Sequence, residues 1–322
     1  MKIVVGDIGG THARFALAQL TPGAPPSLGP MRKYRTGEHA GIASAWATFQ
    51  GDCGGSLPAA AALGIAAPIE GDVLRFVNSS WEIGRHSLAG ELGLDRLLLL
   101  NDFGAVAHAV AALPASAFDP LTGPATGLPP EGVTTVIGPG TGLGVSTLIR
   151  RDGQVTVVET ESAHIAFAPQ NEEEAALERA VRARYGRCSV ERIVSGPGLL
   201  EILDRRDADA GAVWEAALSG GDSQAARALN LLVACFGAAA GDISLAHGSM
   251  SVVITGGLAG RMRERLTAPL FHERFVDKGR YRPRMERIPV LLCTEPEPGL
   301  FGAAVAFQRA FVSETAAPAR AG

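Results

Sequence analysis

Lys2-Ile3-Val4-Val5-Gly6-Asp7-Ile8-Gly9-Gly10-Thr11-His12-Ala13-Arg14-Phe15-Ala16-Leu17-Ala18-Gln19 is the stretch that decides the fold. Residues 2–6 are rich in β-branched side chains and read as a strand. Asp7–Thr11 has the glycines of a turn, and residues 13–19 read as a return strand. The glycine loop therefore joins two antiparallel strands. A dinucleotide-binding or Walker loop would instead open a helix, so neither fits here. The arrangement recurs: Thr134-Thr135-Val136-Ile137 leads into Gly138-Pro139-Gly140-Thr141-Gly142-Leu143-Gly144, and Val145–Ile149 reads as the next strand. Two such units in one chain predict an internal structural duplication.

Composition bounds the rest. At ~150 residues per domain, 322 residues predict two domains. An apolar content of 47% against 19% charged excludes a disordered chain. With 29 basic and 33 acidic residues the net charge is −4, which points to neither a nucleic-acid nor an anionic-membrane partner. The apolar run at the N-terminus is short and ends at Asp7, unlike a signal peptide. No uncharged apolar stretch reaches the ~18 residues of a membrane span. Cys53, Cys188, Cys235 and Cys293 form no CxxC pair and read as free thiols in a reducing compartment. The expectation is a soluble, cytoplasmic protein.

Between the glycine loops the pattern predicts a helix over 37–50, strands over 59–66, 72–78 and 96–100, a mixed and partly helical stretch over 81–92, and a helix over 103–113. Residues 114–133 read as a connector rich in Pro, Gly and Ala. Further on, helices are predicted over 172–185 and 198–206, with one long helix or two over 222–247. A strand over 251–255, a basic helix start at Arg261–Arg263, a strand over 288–292, a helix over 299–312 and a frayed tail over 313–322 complete the chain.

Several of these positions can carry chemistry. The Asp7–Thr11 turn offers backbone N–H groups that can approach phosphates closely, with Asp7 placed to hold water on a magnesium ion; it reads equally as an ordinary hairpin turn. The second loop has four glycines in seven residues, and two glycine hairpins can clamp a polyphosphate. Gly256-Gly257, after the strand over 251–255, can lie against a base or ribose, or simply make a tight strand–helix junction. The strand over 96–100 delivers Asn101-Asp102 to its open end, where α/β sites lie. A carboxylate there can orient a hydroxyl and accept its proton during phosphoryl transfer; the alternative is that Asp102 caps the helix beginning at Phe103. Glu161, His164 and Glu191 suit a polyhydroxyl ligand, although each alone reads as a surface residue. His164 has no partner at metal-ligand spacing, so metal ligation is set aside. The basic run Arg280–Arg287 reads as a solvated face.

Together, Gly6–Arg14, Leu100-Asn101-Asp102-Phe103, Gly138–Gly144, Glu161 with His164-Ile165-Ala166-Phe167-Ala168-Pro169, Glu191–Leu199, Asp277-Lys278-Gly279-Arg280 and Pro298-Gly299-Leu300 resemble the bacterial glucokinases. The motifs keep the family's order from residue 3 to about residue 308. The resemblance implies an α/β, actin-like (ribonuclease H-like) duplicated fold with two domains flanking a sugar/ATP cleft. The small domain would span 1–110, rejoined by 301–322, and the large domain 111–300. The implied activity is ATP-dependent phosphorylation of glucose to glucose 6-phosphate, with Asp102 as general base for the 6-hydroxyl. Asn78, Asn101, Asp102, Glu161, His164 and Glu191 would hold the sugar. Gly6, Asp7, Ile8, Gly9, Gly10 and Thr11 would hold phosphates together with Gly140, Thr141 and Gly142, and Gly256 and Gly257 would lie near adenosine. Mg2+ would travel with ATP, and family members are usually homodimers.

One departure concerns the sugar loop. The family usually has Glu-Gly-Gly-His, often with an acidic residue two after the His; here the loop is Glu161-Ser162-Ala163-His164-Ile165-Ala166. If either new side chain needed φ > 0, it would cost roughly 1 kcal/mol. Weakened glucose affinity, a preference for another hexose and a non-catalytic sugar sensor are the alternatives this loop keeps open. A repressor–kinase of the same fold is disfavoured by the lack of a cysteine cluster. An actin-like assembly protein or chaperone would not need Asn101-Asp102 together with Glu161, His164 and Glu191.

Overall fold

The computed structural model describes residues 1–76 and 79–312, so Asn78 and the predicted tail 313–322 lie outside the described residues. The chain divides into two compact units. One comprises Met1–Leu113 and the chain from Glu297; the other is Pro114–Pro296.

In the first unit, β1 (Lys2–Ile8) and β2 (His12–Gln19) form the predicted hairpin, with Ile8 opposite Ala13. Side chains of β1 alternate between two apolar clusters: Val4 and Ile8 on one face, Ile3 and Val5 on the other. Burial on both faces explains the unbroken apolar run. β3 (Ser27–Leu28) and β4 (Arg32–Arg35) both pair with β2. After α1 (Ile42–Asp52) comes β5 (Ala60–Ile65), parallel to β1. β6 (Val73–Arg75) and β7 (Glu82–Gly84) make a small hairpin, followed by α2 (Leu88–Glu91). β8 (Arg96–Asn101) lies parallel to β5 and leads into α3 (Asp102–Ala112). The sheet order is β3-β2-β1-β5-β8. Phe15 stacks on Phe49 of α1, centroids 5.4 Å apart.

The second unit repeats this plan. β9 (Phe118–Thr122) precedes β10 (Gly132–Pro139), β11 (Leu143–Arg151) and β12 (Gln154–Thr160). The helices α4 (Glu172–Tyr185), α5 (Val190–Ile193), α6 (Gly196–Leu203), α7 (Ala210–Ser219) and α8 (Ser223–His247) follow. Then come β13 (Ser251–Ile254), α9 (Gly257–Arg261), α10 (Arg263–Leu266), α11 (Pro269–Val276), α12 (Arg282–Met285) and β14 (Val290–Cys293). The order β12-β11-β10-β13-β14 matches β3-β2-β1-β5-β8, with an antiparallel hairpin joined to parallel strands in both; β9 adds an antiparallel edge. The duplication expected from the two hairpins is therefore present. α8 passes a length and composition test for a membrane span, but 78% of its most apolar window is buried and it is a core helix. Phe236 on it meets Phe271 of α11 edge-on at 5.5 Å.

The last helix, α13 (Pro298–Phe311), belongs to the first unit. Its Leu300, Ala303, Ala304 and Phe307 cover the β1 face that carries Ile3 and Val5.

Some predicted elements need correction. The connector 114–133 holds a strand, β9, whose Pro120 is tolerated because β9 is an edge strand. The helix predicted from 37 begins at Ile42, after a 3-10 turn at Thr36–Glu38. The stretch over 222–247 is one helix, and α7 and α11 were not foreseen. The basic run Arg280–Arg287, read as a solvated face, does expose its arginines, and Met285 alone turns inward to anchor α12.

Candidate active site

In the first unit the chemistry gathers at the carboxyl ends of β1 and β8. β8 ends at Asn101, and α3 begins at Asp102. The capping alternative needs correction: Asn101, not Asp102, is the N-cap. Its Oδ1 accepts from the N–H groups of Phe103 (2.9 Å) and Gly104 (3.2 Å). Asp102 Oδ1 also accepts from Phe103 N–H, at 2.8 Å. Asn101 Nδ2 donates to the Ala67 carbonyl at 3.4 Å. Asp102 thus sits in the first turn of an eleven-residue helix, where the partial positive charge favours an anion. Gly64 of β5 packs beneath this turn, where a Cβ would make ordinary van der Waals contact with the Asp102 Cα at 3.5 Å and the Ala105 Cβ at 3.4 Å.

The glycine turn of this unit contracts to Gly9-Gly10-Thr11, closed by Gly9 N–H to the His12 carbonyl at 2.9 Å. Gly6 and Ile8 lie inside β1. A Cβ on Gly6 would press on Leu63 at 2.6 Å, and the Ile8 side chain is fully buried, so these two can offer a ligand only backbone. Asp7 faces Arg14 across the hairpin and receives its guanidinium at 2.8 Å. Burial raises the Asp7 carboxyl above its usual range, and Arg14 opposes that shift. Glu297, just before α13, lies 3.8 Å from Arg14. The motif reading did not single out Arg14 as a partner of Asp7, although hairpin register places the two opposite each other.

In the second unit three of the predicted residues come together. Glu161 caps a 3-10 turn over Ser162–His164 that ends at His164, with His164 Nε2 3.5 Å from Glu161 Oε2. His164 Nδ1 lies 3.9 Å from Glu191 Oε1 on α5. The other Glu191 oxygen accepts the Leu143 N–H at 3.0 Å. Glu191 therefore joins the carboxylate–imidazole cluster to the second glycine loop, which contracts to Gly140-Thr141-Gly142. Gly140 N–H bonds the Gly142 carbonyl at 2.7 Å, and Gly196 N–H bonds the Gly140 carbonyl at 2.7 Å. A Cβ on Gly142 would collide with the Glu191 carboxylate, so glycine here is a condition of that contact. Gly140 is different. A Cβ there would meet nothing of the protein within 4 Å, and its φ lies outside the left-handed region, so the chain itself does not need glycine at that place. Gly256 caps α9 with φ +97°, a conformation that all but requires glycine, and Gly257 opens the helix.

The feared strain in the sugar loop is absent. Neither Ser162 nor Ala163 has positive φ, and Ala163 is buried in the core. Sequence reasoning missed a further pair: Ser162 Oγ lies 3.1 Å from His247 Nε2, a partner 85 residues away that no local pattern signals.

The duplicated sheets, each with a glycine turn at its hairpin, agree with the expected actin-like architecture, and the family and relatives set the class, an ATP-dependent sugar kinase. The sequence pattern of the Glucokinase family matches residues 4–310. A glucokinase of Zymomonas mobilis subsp. mobilis is 45% identical over 316 residues, covering 95% of this chain and 98% of that protein. The chain belongs to the glucokinase family. Among solved structures, the glucokinase of an Antarctic psychrotroph superposes with a TM-score of 0.79 at 28% identity, covering 96% of this chain and 99% of that one. The Balamuthia mandrillaris glucokinase in complex with glucose shares the fold with a TM-score of 0.79 at 23% identity, covering 95% and 93%.

Proposed function

We propose that Asp102 is the general base of this glucose kinase and that Asn101, Asp102, Glu161, His164 and Glu191 hold the sugar. The enzyme transfers the γ-phosphoryl group of ATP to glucose. In the proposed step the 6-hydroxyl oxygen attacks the γ-phosphorus, its proton passes to the Asp102 carboxylate, the bond to the β-phosphate oxygen breaks and ADP leaves. Carboxylates and imidazole accept hydrogen bonds from vicinal hydroxyls, which suits Glu161, His164 and Glu191 to a sugar. In the turns Gly9–Thr11 and Gly140–Gly142 the N–H groups of Gly9 and Gly140 close the turn, so those of Gly10, Thr11, Thr141 and Gly142 are the ones assigned to the phosphates, where negative charge is spread in the transition state. Gly256-Gly257 is assigned to the adenosine. Mg2+ would arrive bound to ATP, and Asp7, a hard-oxygen donor beside the first turn, fits a water-mediated contact to it.

The observation that carries this reading is the Glu191 carboxylate. It stands beside His164 and accepts the Leu143 N–H at 3.0 Å, so one side chain serves the sugar cluster and the phosphate loop. Cytoplasmic residence is part of the proposal, in keeping with four free thiols. The test is a coupled assay of ATP-dependent phosphorylation across a hexose panel. Glucose as the preferred acceptor supports the assignment. Preference for another hexose moves the specificity to residues 161–166. No turnover on any sugar, in folded protein that binds ATP, contradicts it.

A further inference from the structure

His247 closes the 25-residue helix α8 with its ring set among hydroxyls. Its Nδ1 lies 2.9 Å from Thr135 Oγ1 on β10 and 3.1 Å from Thr147 Oγ1 on β11, and its Nε2 lies 3.1 Å from Ser162 Oγ. Thr135 Oγ1 in turn pairs with Ser249 Oγ at 2.7 Å. Burial lowers the imidazole below its usual range, so the ring is neutral near pH 7 and can donate from one nitrogen while accepting at the other. Three secondary-structure elements are thereby tied to the first residue of the Ser162–His164 turn.

We propose that His247 and Ser162 are positioning residues that lock the Glu161–His164 loop in its sugar-binding conformation. The inference rests on the assignment of Glu161 and His164 as sugar ligands. The loop is held downstream by backbone bonds, Val190 N–H to the Ile165 carbonyl at 3.0 Å and Phe167 N–H to the Cys188 carbonyl at 3.0 Å. Upstream, Thr160 Oγ donates to the Val145 carbonyl at 3.0 Å. Between these anchors stand Glu161 and His164, both more than half exposed. Their geometry is set by the short turn that Glu161 caps and His164 ends, and that turn is fixed at Ser162 by the His247 contact and at Ala163 by a buried methyl. A Gly-Gly pair in these places would supply neither tie. The two residues that looked like a liability thus replace flexibility with preorganisation, which favours binding by lowering the ordering cost.

The experiment measures steady-state constants for glucose and for ATP in Ser162→Ala, Ser162→Gly, His247→Leu, His247→Gln and the double variant Ser162→Ala/His247→Leu, with thermal unfolding alongside. Loss of one hydrogen bond of ordinary strength predicts about a fivefold rise in glucose KM for Ser162→Ala, and His247→Leu, which also gives up Thr135 and Thr147, raises it at least as much. ATP KM stays within twofold, and Ser162→Gly is affected at least as much as Ser162→Ala. His247→Gln, whose amide can still reach Ser162, restores most of the affinity. The double variant is no worse than His247→Leu alone, because that variant has already lost the Ser162 contact. Equal shifts in glucose and ATP constants, or an unchanged glucose KM in both single variants, overturn the proposal. Glu161→Gln, run in parallel, separates the two layers. If it raises glucose KM while Ser162→Ala and His247→Leu do not, only the positioning role fails. If it leaves glucose KM unchanged, the sugar-ligand assignment fails and takes the positioning role with it.

Discussion

Adding one methyl group at Gly142 should weaken glucose binding while leaving the fold in place. The Gly142 φ lies outside the left-handed region, so alanine is tolerated by the backbone. Its Cβ would overlap the Glu191 carboxylate and stand 3.2 Å from the Glu191 Cδ. The obstacle is the far end of a flexible side chain, so Glu191 swings away and the core does not move. The displacement breaks the bond from Leu143 N–H to Glu191 Oε2 and removes Oε1 from the side of His164. A sugar hydroxyl's hydrogen bond to the Glu191 carboxylate would contribute ~1.5–3 kcal/mol, and the Glu191 side chain is 31% exposed, which favours the lower figure. About 1.5 kcal/mol corresponds to roughly a tenfold rise in glucose KM. The Leu143 N–H, left without its carboxylate, costs about 1 kcal/mol of stability, a fall of ~3 °C in Tm. Steady-state kinetics with varied glucose at saturating ATP, together with thermal unfolding, reads both. A glucose KM within twofold of wild type, with Tm lowered as expected, would show that Glu191 does not serve the sugar and would refute the reasoning.

Gly302→Ala tests the packing of α13 on α3. A Cβ there would stand 2.7 Å from the Ala105 carbonyl carbon and 2.8 Å from the Ala109 nitrogen, both backbone, so neither can rotate aside. It should destabilise by about 3 kcal/mol or more, read by urea unfolding. His108 supplies an acid-sensitive contribution. Burial first, and then the Arg309 guanidinium, lower its imidazole to about 4 in the folded chain, against ~6.5 unfolded. Between those values the unfolded chain binds the extra proton, so stability falls as pH drops from about 6.5 to about 4 and is unaffected by this group above that window. The loss should be about 1–3 kcal/mol, and His108→Gln should flatten that part of the stability–pH curve.

Local chemistry made much of this structure legible. The helix predicted over 172–185 is α4, Glu172–Tyr185, because Asn171 caps its start and Gly186, at φ +78°, ends it. Both glycine hairpins were readable from β-branched runs flanking turn residues. β9 was hidden because Pro120 and the surrounding Gly, Pro and Ala look like a linker, while an edge strand accepts what a central one rejects. Glu161, His164 and Glu191 could be nominated by residue type and resemblance. What joins them could not: Glu191 reaches Leu143 across 48 positions and Ser162 reaches His247 across 85, and contacts of that span leave no periodic trace. The same holds for the harmlessness of Ser162 and Ala163, since only the backbone angles show that no glycine is needed there.

The turnover of Asp102→Asn tests the central claim most directly. The amide keeps an oxygen at the start of α3 able to accept from Phe103 N–H, so the fold and glucose affinity should persist. It cannot take the 6-hydroxyl proton, so kcat should fall by about 10²–10⁴-fold. A kcat within tenfold of wild type, with glucose and ATP still bound, would contradict the assignment of Asp102 as the base.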